Sequence, residues 1–373
     1  MNQRPSTIYL NYAALCPPRP EVEQEMARTL AELGQRLYSE AGVHWYRQCL
    51  KDSRRTVAEA FHIPDSATIA FTANASLAHY LALSAIHWQP GDVLVTSTHE
   101  NPSIIRQLHT LTRRGVKVMD VHPITPSHLL TALESLASAH PIKAVVMSHV
   151  SHVDGRLFPI SDISALARAN GFLFLVDGAQ AAGHIPVDVD QLGCDSYFFP
   201  GHKWCRGPLG TGVLIVSDQF CEVAPGIQMP QSDLSDPRAS LFEVGTQNIG
   251  LIAGLARACA LAQESVQAQQ EPMESRRSLV ATRLHRESTV EIMEWEGPHA
   301  PGIVTFRSRR PVETRHLAST LEAEWGIVVK AFPKPSSAWS HSTFRLSWLD
   351  TTPTEELLWA LDHICAVIAQ MSS

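Results

Sequence analysis

The clearest strand of this sequence lies within Phe172-Leu-Phe-Leu-Val-Asp177-Gly-Ala-Gln180. Its five apolar residues, 172–176, leave no polar face, which is typical of a strand in a parallel sheet covered on both sides. The strand runs directly into Asp177. A carboxylate at the carboxyl end of a buried strand lies where open α/β sheets bind ligands, although taken alone Asp177 is better explained as a helix cap or an ion-pair partner.

Short apolar or β-branched runs alternate with helix-length amphipathic segments on both sides of this strand. The alternation predicts an α/β fold with a mostly parallel sheet. Helices are expected near 21–37, 43–61, 76–87, 102–114, 127–139 and 161–169. Strands are expected at 68–71, 93–96, 116–121, 144–147, 172–176, 196–199 and 212–216.

The pattern changes beyond residue 220. A loop rich in Pro, Gln, Ser and Asp (225–237) leads into a long helical stretch, and the tail then reads strand, helix, strand, strand, helix. This tail predicts a small α+β domain. The expected divisions are an N-terminal segment 1–20, a large domain 21–250, a linking helix 251–286 and a small C-terminal domain 287–373.

Composition excludes several classes of protein. The 373 residues contain 37 acidic and 30 basic side chains, whereas nucleic-acid-binding proteins usually have a basic surplus. No apolar run approaches the ~20 residues of a membrane helix, and the start lacks the order of a signal peptide. The seven cysteines are scattered, without a CxxC pair, which predicts reduced thiols. We therefore expect a soluble, cytoplasmic enzyme.

A lysine follows the strand expected at 196–199, in Pro200-Gly-His-Lys203-Trp-Cys-Arg-Gly207. A lone lysine is usually a solvated charge. Lys203 differs because strands and a Gly-rich turn flank it, and loops held by a rigid scaffold often carry chemistry. We therefore treat Lys203 as a candidate catalytic residue.

Two segments have the chemistry of a phosphate site. Phe71-Thr-Ala-Asn-Ala-Ser76 turns from a strand into a helix, whose free N–H groups and positive end suit an anion. A plain Asn or Ser cap is the alternative. Phe242-Glu-Val-Gly-Thr246-Gln-Asn248 opens the linking helix in the same way. A Schiff-base lysine, an aspartate for a pyridinium proton and two phosphate sites together predict pyridoxal phosphate as the cofactor.

Seven motifs between residues 8 and 347 carry a resemblance to a known family. They are IYLNYAA (8–14), TANAS (72–76), SHVSHVDG (148–155), VDGAQAAGHIPVDV (176–189), GHKWCRGPLGTG (201–212), FEVGTQN (242–248) and FRLS (344–347). The chain resembles class V aminotransferase-fold enzymes (fold type I), in the branch of cysteine desulfurases, cysteine–cystine C–S lyases and isopenicillin-N epimerase. This implies a large domain with a mostly parallel seven-stranded sheet and a small C-terminal α+β domain.

The resemblance implies contacts to the cofactor ring. Lys203 would form the Schiff base and move the Cα proton, and Asp177 would pair with the protonated pyridine nitrogen. Gln180 would contact the phenolate oxygen of the ring. A lowered lysine pKa suits both roles of Lys203.

The resemblance also implies contacts to the phosphate and to the substrate. Ala75, Ser76 and His202 match phosphate-binding residues. Thr246 matches a threonine that reaches the phosphate of the neighbouring subunit, which implies a homodimer with shared active sites.

For the substrate, the resemblance implies that Arg345 clamps the carboxylate in bidentate fashion. Asn11 lies in the matching N-terminal motif, and the N-terminal segment lines the substrate side in relatives. Both residues are therefore expected to bind the substrate.

Three positions depart from the family pattern. Relatives usually place a histidine flat against the cofactor ring, but here the spacing puts Asn101 there, two residues after His99. His152 stands where many desulfurases have Asn or Trp, close to the cofactor oxygen. Pro200 replaces a frequent serine and removes a hydroxyl contact to the phosphate.

A metal site is an alternative interpretation of the histidines. His149, His152 and Asp154 are residue types that bind zinc or iron. Their i, i+3 spacing on a strand would send the two imidazoles to opposite faces. No metal is therefore expected.

The reaction is not settled by the cofactor. Persulfide-forming desulfurases need a cysteine on the loop before the carboxylate arginine, and 330–345 contains none. Cys16 and Cys205 are the possible substitutes, but both are expected to be inert. A C–S lyase acting on cysteine or a cysteine S-conjugate is therefore favoured. A biosynthetic aminotransferase or epimerase is the main alternative. A persulfide-forming desulfurase and a non-catalytic homologue are less favoured.

Substrate identity also stays open. Positive charge near the pocket mouth, from Lys330, Lys334, Arg206 and His341, would suit an acidic or large amino acid. Solvated surface charges explain these residues equally well.

Overall fold

The computed structural model describes residues 7–36, 39–224, 238–243, 245–332 and 342–371. These residues form two compact units. The large unit contains the described residues of Cys16–Val150 and Phe158–Gln267. The small unit contains 7–15, Ser151–Leu157 and the described part of 268–371.

The described chain alternates between strands and helices through most of its length. In chain order the strands are β1 (Ile8–Leu10), β2 (Ile69–Thr72), β3 (Val93–Ser97), β4 (Lys117–Val121), β5 (Ile142–Ser148), β6 (Leu173–Asp177), β7 (Ser196–Pro200), β8 (Gly212–Val216), β9 (Val290–Ile292), β10 (Ile303–Ser308), β11 (Ile327–Phe332) and β12 (Thr343–Ser347). The helices are α1 (Pro20–Arg36), α2 (Glu40–Ala60), α3 (Ala75–Ala85), α4 (Pro102–Thr112), α5 (Pro126–Ala139), α6 (Ile160–Asn170), α7 (Val189–Leu192), α8 (Asp218–Val223), α9 (Ile249–His285), α10 (Thr314–Trp325) and α11 (Thr354–Met371).

A seven-stranded sheet forms the centre of the large unit. Its strand order is β2-β8-β7-β6-β5-β3-β4. Strands β4, β3, β5, β6 and β7 pair in parallel, and β8 pairs antiparallel with both of its neighbours. The expected α/β fold with a mostly parallel sheet is thus confirmed, with all seven predicted strands within a few residues of their observed bounds.

The parallel pairing decides where functional side chains can meet. Strands β3, β5, β6 and β7 all point the same way, so they end at one edge of the sheet, at Ser97, Ser148, Asp177 and Pro200. Ligands bind at this carboxyl edge in open α/β sheets. Residues far apart in the sequence therefore converge there.

Apolar side chains hold the helices of the large unit on the sheet. Val146, Leu175 and Phe198 lie on adjacent strands and are almost completely buried. Leu81 of α3 and Leu108 of α4 belong to the same buried cluster. Full burial of such side chains contributes ~1.5–3 kcal/mol each, which explains why the central strands carry no polar face.

Local signals set several helix ends in the large unit. Ser39 and Thr125 cap α2 and α5, since each hydroxyl accepts a hydrogen bond of 3.1 Å from the amide three residues ahead, at Gly42 and His128. Gly171 ends α6 with a φ of 74°, in the left-handed region that glycine adopts without steric cost. These caps satisfy amides and carbonyls that have no partner within the helix.

A five-stranded sheet forms the centre of the small unit. Its order is β1-β11-β12-β10-β9, with β1 parallel to β11 and the other pairs antiparallel. Helices α10 and α11 belong to this unit, together with the C-terminal part of α9. The expected small α+β domain is present, but sequence reasoning did not predict β1 or β9. Each has three residues, which is too short for alternation to be recognised.

The small unit contains a segment that sequence reasoning assigned to the large domain. Residues Ser151–Leu157 group with it because their backbone bonds to it: Leu157 N–H donates to Pro298 O at 2.9 Å, and Gly155 O accepts from Ala300 N–H at 2.7 Å. A Cβ on Gly155 would lie 2.9 Å from Cβ of Ile303. This close approach requires glycine.

The long helix α9 (Ile249–His285) covers almost all of the helix predicted at 251–286. By length and composition it is able to cross a membrane, with a mean hydropathy of 1.3 over its most apolar 18 residues. However, 56% of that window is buried inside the protein. Leu255, Ala258 and Cys259 are fully buried. An apolar helix that packs in this way is a core helix.

A buried ion pair ties the segment before α9 to the edge of the large sheet. Glu243 accepts hydrogen bonds from the guanidinium of Arg54 at 2.6 Å and from the Phe71 amide at 2.8 Å. Arg54 also donates to Ile69 O at 3.1 Å. Both charged side chains are at most 10% exposed.

We predict that Glu243→Ala lowers the free energy of unfolding by about 3 kcal/mol, because it leaves a buried guanidinium without its carboxylate. Chemical denaturation measures the change. The matched control is Glu59→Ala, which removes a carboxylate that is 72% exposed and 4.0 Å from Arg55. An exposed pair of this kind contributes about 1 kcal/mol or less. Equal losses in the two variants would contradict the prediction.

Candidate active site

Asp177 is the last residue of β6, in the middle of the large sheet. Its carboxylate is 7% exposed, and Oδ1 accepts a hydrogen bond of 2.8 Å from the Ala179 amide. Burial raises the pKa of Asp177, while the charge of Lys203 and the Ala179 hydrogen bond lower it. The side chain is therefore a buried acid next to a cation, a combination that is common in functional sites.

Sequence reasoning missed Glu100, a second buried acid at the same edge of the sheet. Its Oε1 accepts from the Ser97 hydroxyl at 2.6 Å and from the Ser148 amide at 3.1 Å, and its Oε2 accepts from the Ser148 hydroxyl at 2.6 Å. Burial raises the pKa of Glu100 to about 7, and the charge of Asp177 acts in the same direction. The only sequence signal was its place next to Asn101, after an apolar strand.

Lys203 lies in the turn after β7. The turn is closed by hydrogen bonds from Arg206 N–H to Lys203 O and from Gly207 N–H to Gly201 O, both 2.8 Å. A Cβ on Gly201 would lie 2.3 Å from Oγ1 of Thr211, so the turn packs directly on the start of β8. The charge of Lys203 lowers the pKa of Asp177, against the effect of burial.

His202 precedes this lysine and has a polar atom without a protein partner. Its Nδ1 is buried, and no described residue forms a hydrogen bond with it. Burial and the charge of Lys203 lower the pKa of His202 to about 4, so the imidazole is neutral at pH 7. A buried ring nitrogen of this kind suits a polar ligand.

The N-terminus of α3 supplies further donors in the large unit. Asn74 caps the helix by accepting from the Leu77 amide at 2.9 Å. Ala75 and Ser76 begin the helix, where amide groups have no partner one turn back. The Ser76 carbonyl accepts from Gln107 at 2.8 Å, which fixes this end of the helix. The positive helix end and the His202 nitrogen together suit a phosphate.

Gln180 lies three residues after Asp177 and is 3% exposed. Its Oε1 accepts a hydrogen bond of 2.7 Å from the indole of Trp204. Sequence reasoning identified Gln180 but not its partner Trp204.

Asn101 has a local structural role. It caps α4, since its Oδ1 accepts from the Ser103 amide and from the Ser103 hydroxyl, both at 2.9 Å. Its predicted contact with a cofactor ring stays a prediction. His99 is 1% exposed, and its ring packs edge-on against Phe158 with centroids 6.4 Å apart.

Thr246 lies in the exposed turn that precedes α9. The turn is held at Gln247, whose amide donates to the hydroxyl of Tyr46 and whose carbonyl accepts from it, both at 2.9 Å. Gly245 has a φ of 71°, so the turn requires its left-handed conformation. The exposed threonine is therefore presented on an ordered turn.

The small unit contains a buried arginine on β12. Arg345 is 3% exposed, and it donates to Oδ1 of Asn11 at 3.2 Å and to the carbonyl of His152. No carboxylate of the described residues forms an ion pair with it. Burial lowers the pKa of Arg345 to about 10, which leaves the side chain charged at pH 7. The Asn11 and His152 contacts orient a cation whose charge is not neutralised, and such a cation suits a carboxylate ligand.

Lys330 adds positive charge beside Arg345. The two residues are paired across β11 and β12, and both cations lie within 6 Å of the Phe332 ring centre. Burial and the charge of Arg345 lower the pKa of Lys330. Lys334 and His341 lie outside the described residues.

Two of the three residues considered as a metal site, His149 and Asp154, have other partners. His149 Nδ1 lies 3.1 Å from the Tyr197 hydroxyl in the large unit. Asp154 forms a buried ion pair with Arg156 in the small unit. The described residues contain no group of three or more His, Cys, Asp or Glu side chains arranged to hold a metal.

The donors and charges of the large unit fit pyridoxal phosphate. A buried aspartate suits a protonated pyridine nitrogen, and a lysine in the same site suits an aldehyde carbon. The end of α3 and the unpartnered nitrogen of His202 suit the phosphate. The pyridine nitrogen, the aldehyde and the phosphate of this cofactor thus each have residues of complementary chemistry.

Comparisons with known proteins agree with this fit. The family model "Aminotransferase class-V" matches residues 8–352. A probable cysteine desulfurase of Pyrococcus abyssi is 30% identical over 86% of this chain and 82% of its own length. Cysteine desulfurase IscS of Pseudomonas entomophila is 25% identical over 98% of this chain and 93% of its own length.

Solved structures share the fold. The cystine C–S lyase C-DES, in complex with its reaction product cysteine persulfide, has a TM-score of 0.83 and 24% identity, with 99% of each chain covered. A mutant of C-DES contains glycine covalently linked to its pyridoxal phosphate cofactor, and it has a TM-score of 0.82 at 23% identity, with 97% of each chain covered. On the family match over residues 8–352, this chain belongs to the class V aminotransferase family of pyridoxal-phosphate-dependent enzymes.

Proposed function

We propose that the protein is a pyridoxal-phosphate-dependent C–S lyase that acts by β-elimination on cysteine or a cysteine S-conjugate. The observation that carries this proposal is the sequence from Lys330 to Arg345, which contains no cysteine to accept sulfur as a persulfide. The relatives named cysteine desulfurase and the fold neighbour C-DES support a sulfur-containing amino acid as the substrate. Residues 333–341 of this loop lie outside the described structure.

The properties of two other cysteines support elimination over persulfide formation. Cys16 is fully buried, and burial raises the pKa of its thiol far above the usual range despite the nearby charges of Arg206 and Lys203. Cys205 is also fully buried, and its Sγ donates to Ala182 O at 3.4 Å. Sulfur transfer requires an accessible thiolate, and both thiols are buried away from solvent.

Pyridoxal phosphate supplies an electron sink for negative charge that develops at the substrate Cα. Asp177 keeps the pyridine nitrogen protonated, and the low exposure of the carboxylate strengthens this interaction. Lys203 Nζ takes the proton from Cα. Loss of the Cα proton to Lys203 would allow the Cβ–S bond to break with its electron pair on sulfur, which would leave as sulfide or thiolate, and hydrolysis of the remaining three-carbon unit would give pyruvate and ammonia.

Arg345 binds the substrate carboxylate. The contacts of its guanidinium with Asn11 and with the His152 carbonyl hold the planar group in place before the substrate arrives. Preorganised donors of this kind cost little ordering entropy on binding. Lys330, paired with Arg345 across the strands, adds charge on the same side.

Ala75, Ser76 and His202 hold the phosphate of the cofactor. Thr246 reaches the phosphate of a neighbouring subunit, so the active form is a homodimer, and we place it in the cytoplasm. The exposure of Thr246 on an ordered turn supports this role.

The first prediction concerns the product. Cofactor-loaded enzyme, given cysteine, cystine or an S-substituted cysteine without a keto acid, should form pyruvate over many turnovers, because elimination needs no amino acceptor. Pyruvate, released sulfide or thiol, and the visible spectrum are followed together. A single partial turnover that converts the cofactor to its amine form would instead identify an aminotransferase.

The second prediction concerns Lys203. Lys203→Ala should remove the visible absorbance of the lysine-bound cofactor and lower turnover by at least 10³-fold, a loss typical of removing a group that acts in the transition state (about 4 kcal/mol). Absorbance spectra and the pyruvate assay measure the two effects. The control is Lys117→Ala, on the exposed side of β4. Turnover retained in Lys203→Ala would refute the assignment.

The third prediction concerns Arg345. Arg345→Ala should raise KM for the amino acid about 10- to 100-fold, because a charge-assisted hydrogen bond to the carboxylate is lost. Steady-state kinetics measure KM, and circular dichroism checks folding. Arg307→Ala is the control, since Arg307 is 45% exposed and pairs with Glu291. An unchanged KM would show that another residue binds the substrate carboxylate.

A further inference from the structure

Trp204 joins the two segments that follow β6 and β7. Its indole N–H donates to Oε1 of Gln180 at 2.7 Å. The same indole stacks on the imidazole of His184, with ring centroids 3.6 Å apart and planes 8° from parallel. All three side chains are 3% exposed. One buried side chain therefore contacts both ends of the segment 180–184.

The hydrogen bond fixes which way the Gln180 amide points. The oxygen and nitrogen of a glutamine amide are similar in shape, so orientation depends on the partners. An indole N–H is only a donor, and it therefore selects the amide oxygen. The amino group, Nε2, then lies on the other branch of the planar amide and points away from the indole.

The backbone around this contact is closely packed. A Cβ on Gly183 would lie 2.6 Å from the Cys205 amide nitrogen, and Gly183 has a φ of 80°. Cys205 Sγ donates to Ala182 O at 3.4 Å. A Cβ on Gly178 would lie 2.2 Å from the Tyr197 ring. Close packing therefore holds the backbone on both sides of Gln180, at Gly178 and at Gly183.

His184 supports the contact by stacking on a face of the indole. Its Nδ1 lies 3.0 Å from the Gln180 carbonyl, which only accepts, so Nδ1 carries the proton. Burial lowers the pKa of His184 to about 3. The stack therefore stays neutral over the pH range in which the enzyme is titrated.

We propose that Trp204 is a positioning residue, which fixes the Gln180 amide so that Nε2 is the donor facing the ring oxygen of pyridoxal phosphate. The proposal rests on the proposed contact between Gln180 and that oxygen, and it is independent of the reaction that the enzyme performs. Loss of the indole N–H removes the donor that selects Oε1, so the orientation in which Nε2 faces the negative ring oxygen loses that stabilisation.

The test is a pH titration of the visible absorbance of the holoenzyme. The ring oxygen bears more negative charge after the nitrogen linking Lys203 to the cofactor has lost its proton. A hydrogen bond to a charged form favours that form. Loss of the Nε2 donor should therefore raise the apparent pKa of the chromophore, by roughly one pH unit for one charge-assisted hydrogen bond.

Three variants are compared with the wild type. Trp204→Phe removes the N–H but keeps a ring for the stack, and Gln180→Leu removes the amide. Both should raise the apparent pKa, and the double variant should shift it no further than Gln180→Leu alone, because the two residues act through one contact. The control is Trp88→Phe, which also removes a buried indole hydrogen bond, 2.9 Å to Leu83 O, and should titrate as the wild type.

Other titrating groups near Gln180 do not account for differences in apparent pKa between the variants. The pKa of His202 is lowered to about 4 by burial and the charge of Lys203, and burial places the Tyr197 pKa well above its usual value. Glu100 and Asp177 are buried acids with raised pKa values. They are present in every variant, so their contribution is common to all the titrations.

A further variant tests the positioning without changing Trp204. In Gln180→Glu the indole should hold one carboxylate oxygen and direct the other at the ring oxygen. The apparent pKa should then rise more than in Gln180→Leu. Equal shifts in Gln180→Glu and Gln180→Leu would overturn the proposal.

Two other outcomes would also overturn it. If the apparent pKa is unchanged in Trp204→Phe but raised in Gln180→Leu, then Gln180 contacts the ring oxygen but Trp204 does not position it. If the apparent pKa shifts in neither variant, both the Gln180 contact with the ring oxygen and the role of Trp204 are refuted. Neither outcome bears on whether the enzyme forms pyruvate, so failure here is distinguishable from failure of the lyase assignment.

Discussion

The buried carboxylate of Asp177 imposes the main constraint on the large unit. Moving an isolated charge out of water costs several kcal/mol even after relaxation, and β6 carries this one at the end of a wholly apolar strand. The protein compensates with the Ala179 amide and with the charge of Lys203. Both must be held in place, which explains why the turns after β6 and β7 are closely packed.

Glu100 adds a second buried acid to the same edge. Its three hydrogen bonds come from Ser97 and Ser148, and Ser148 is paired with Asp177 across β5 and β6. Hydrogen bonds to a carboxylate offset part of its burial cost. The carboxyl edge of the sheet therefore holds two buried acids, and a pyridinium proton and a lysine are positive groups that would stabilise their charged forms.

Sequence reasoning recovered most of the fold and part of the site. The seven strands of the large sheet were predicted because short apolar or β-branched runs alternate with helix-length segments, whereas the three-residue strands β1 and β9 are too short to show a pattern. Asn101 caps α4 in the structure, a local role that was not predicted, and its expected contact with the cofactor ring stays a prediction. Glu100 was missed because a single glutamate in a loop carries no periodic signal, and its three donors come from two different strands.

The sequence by itself determined the alternation of strands and helices, the places of Asp177 and Lys203 at strand ends, and the cofactor that these residues suit. Tertiary structure decided which side chains meet. Arg345 contacts Asn11 across 334 residues and His152 across 193, and Trp204 contacts Gln180 across 24. Local patterns record burial and backbone geometry, but long-range partners depend on strand order and register, which are decided by packing between distant segments.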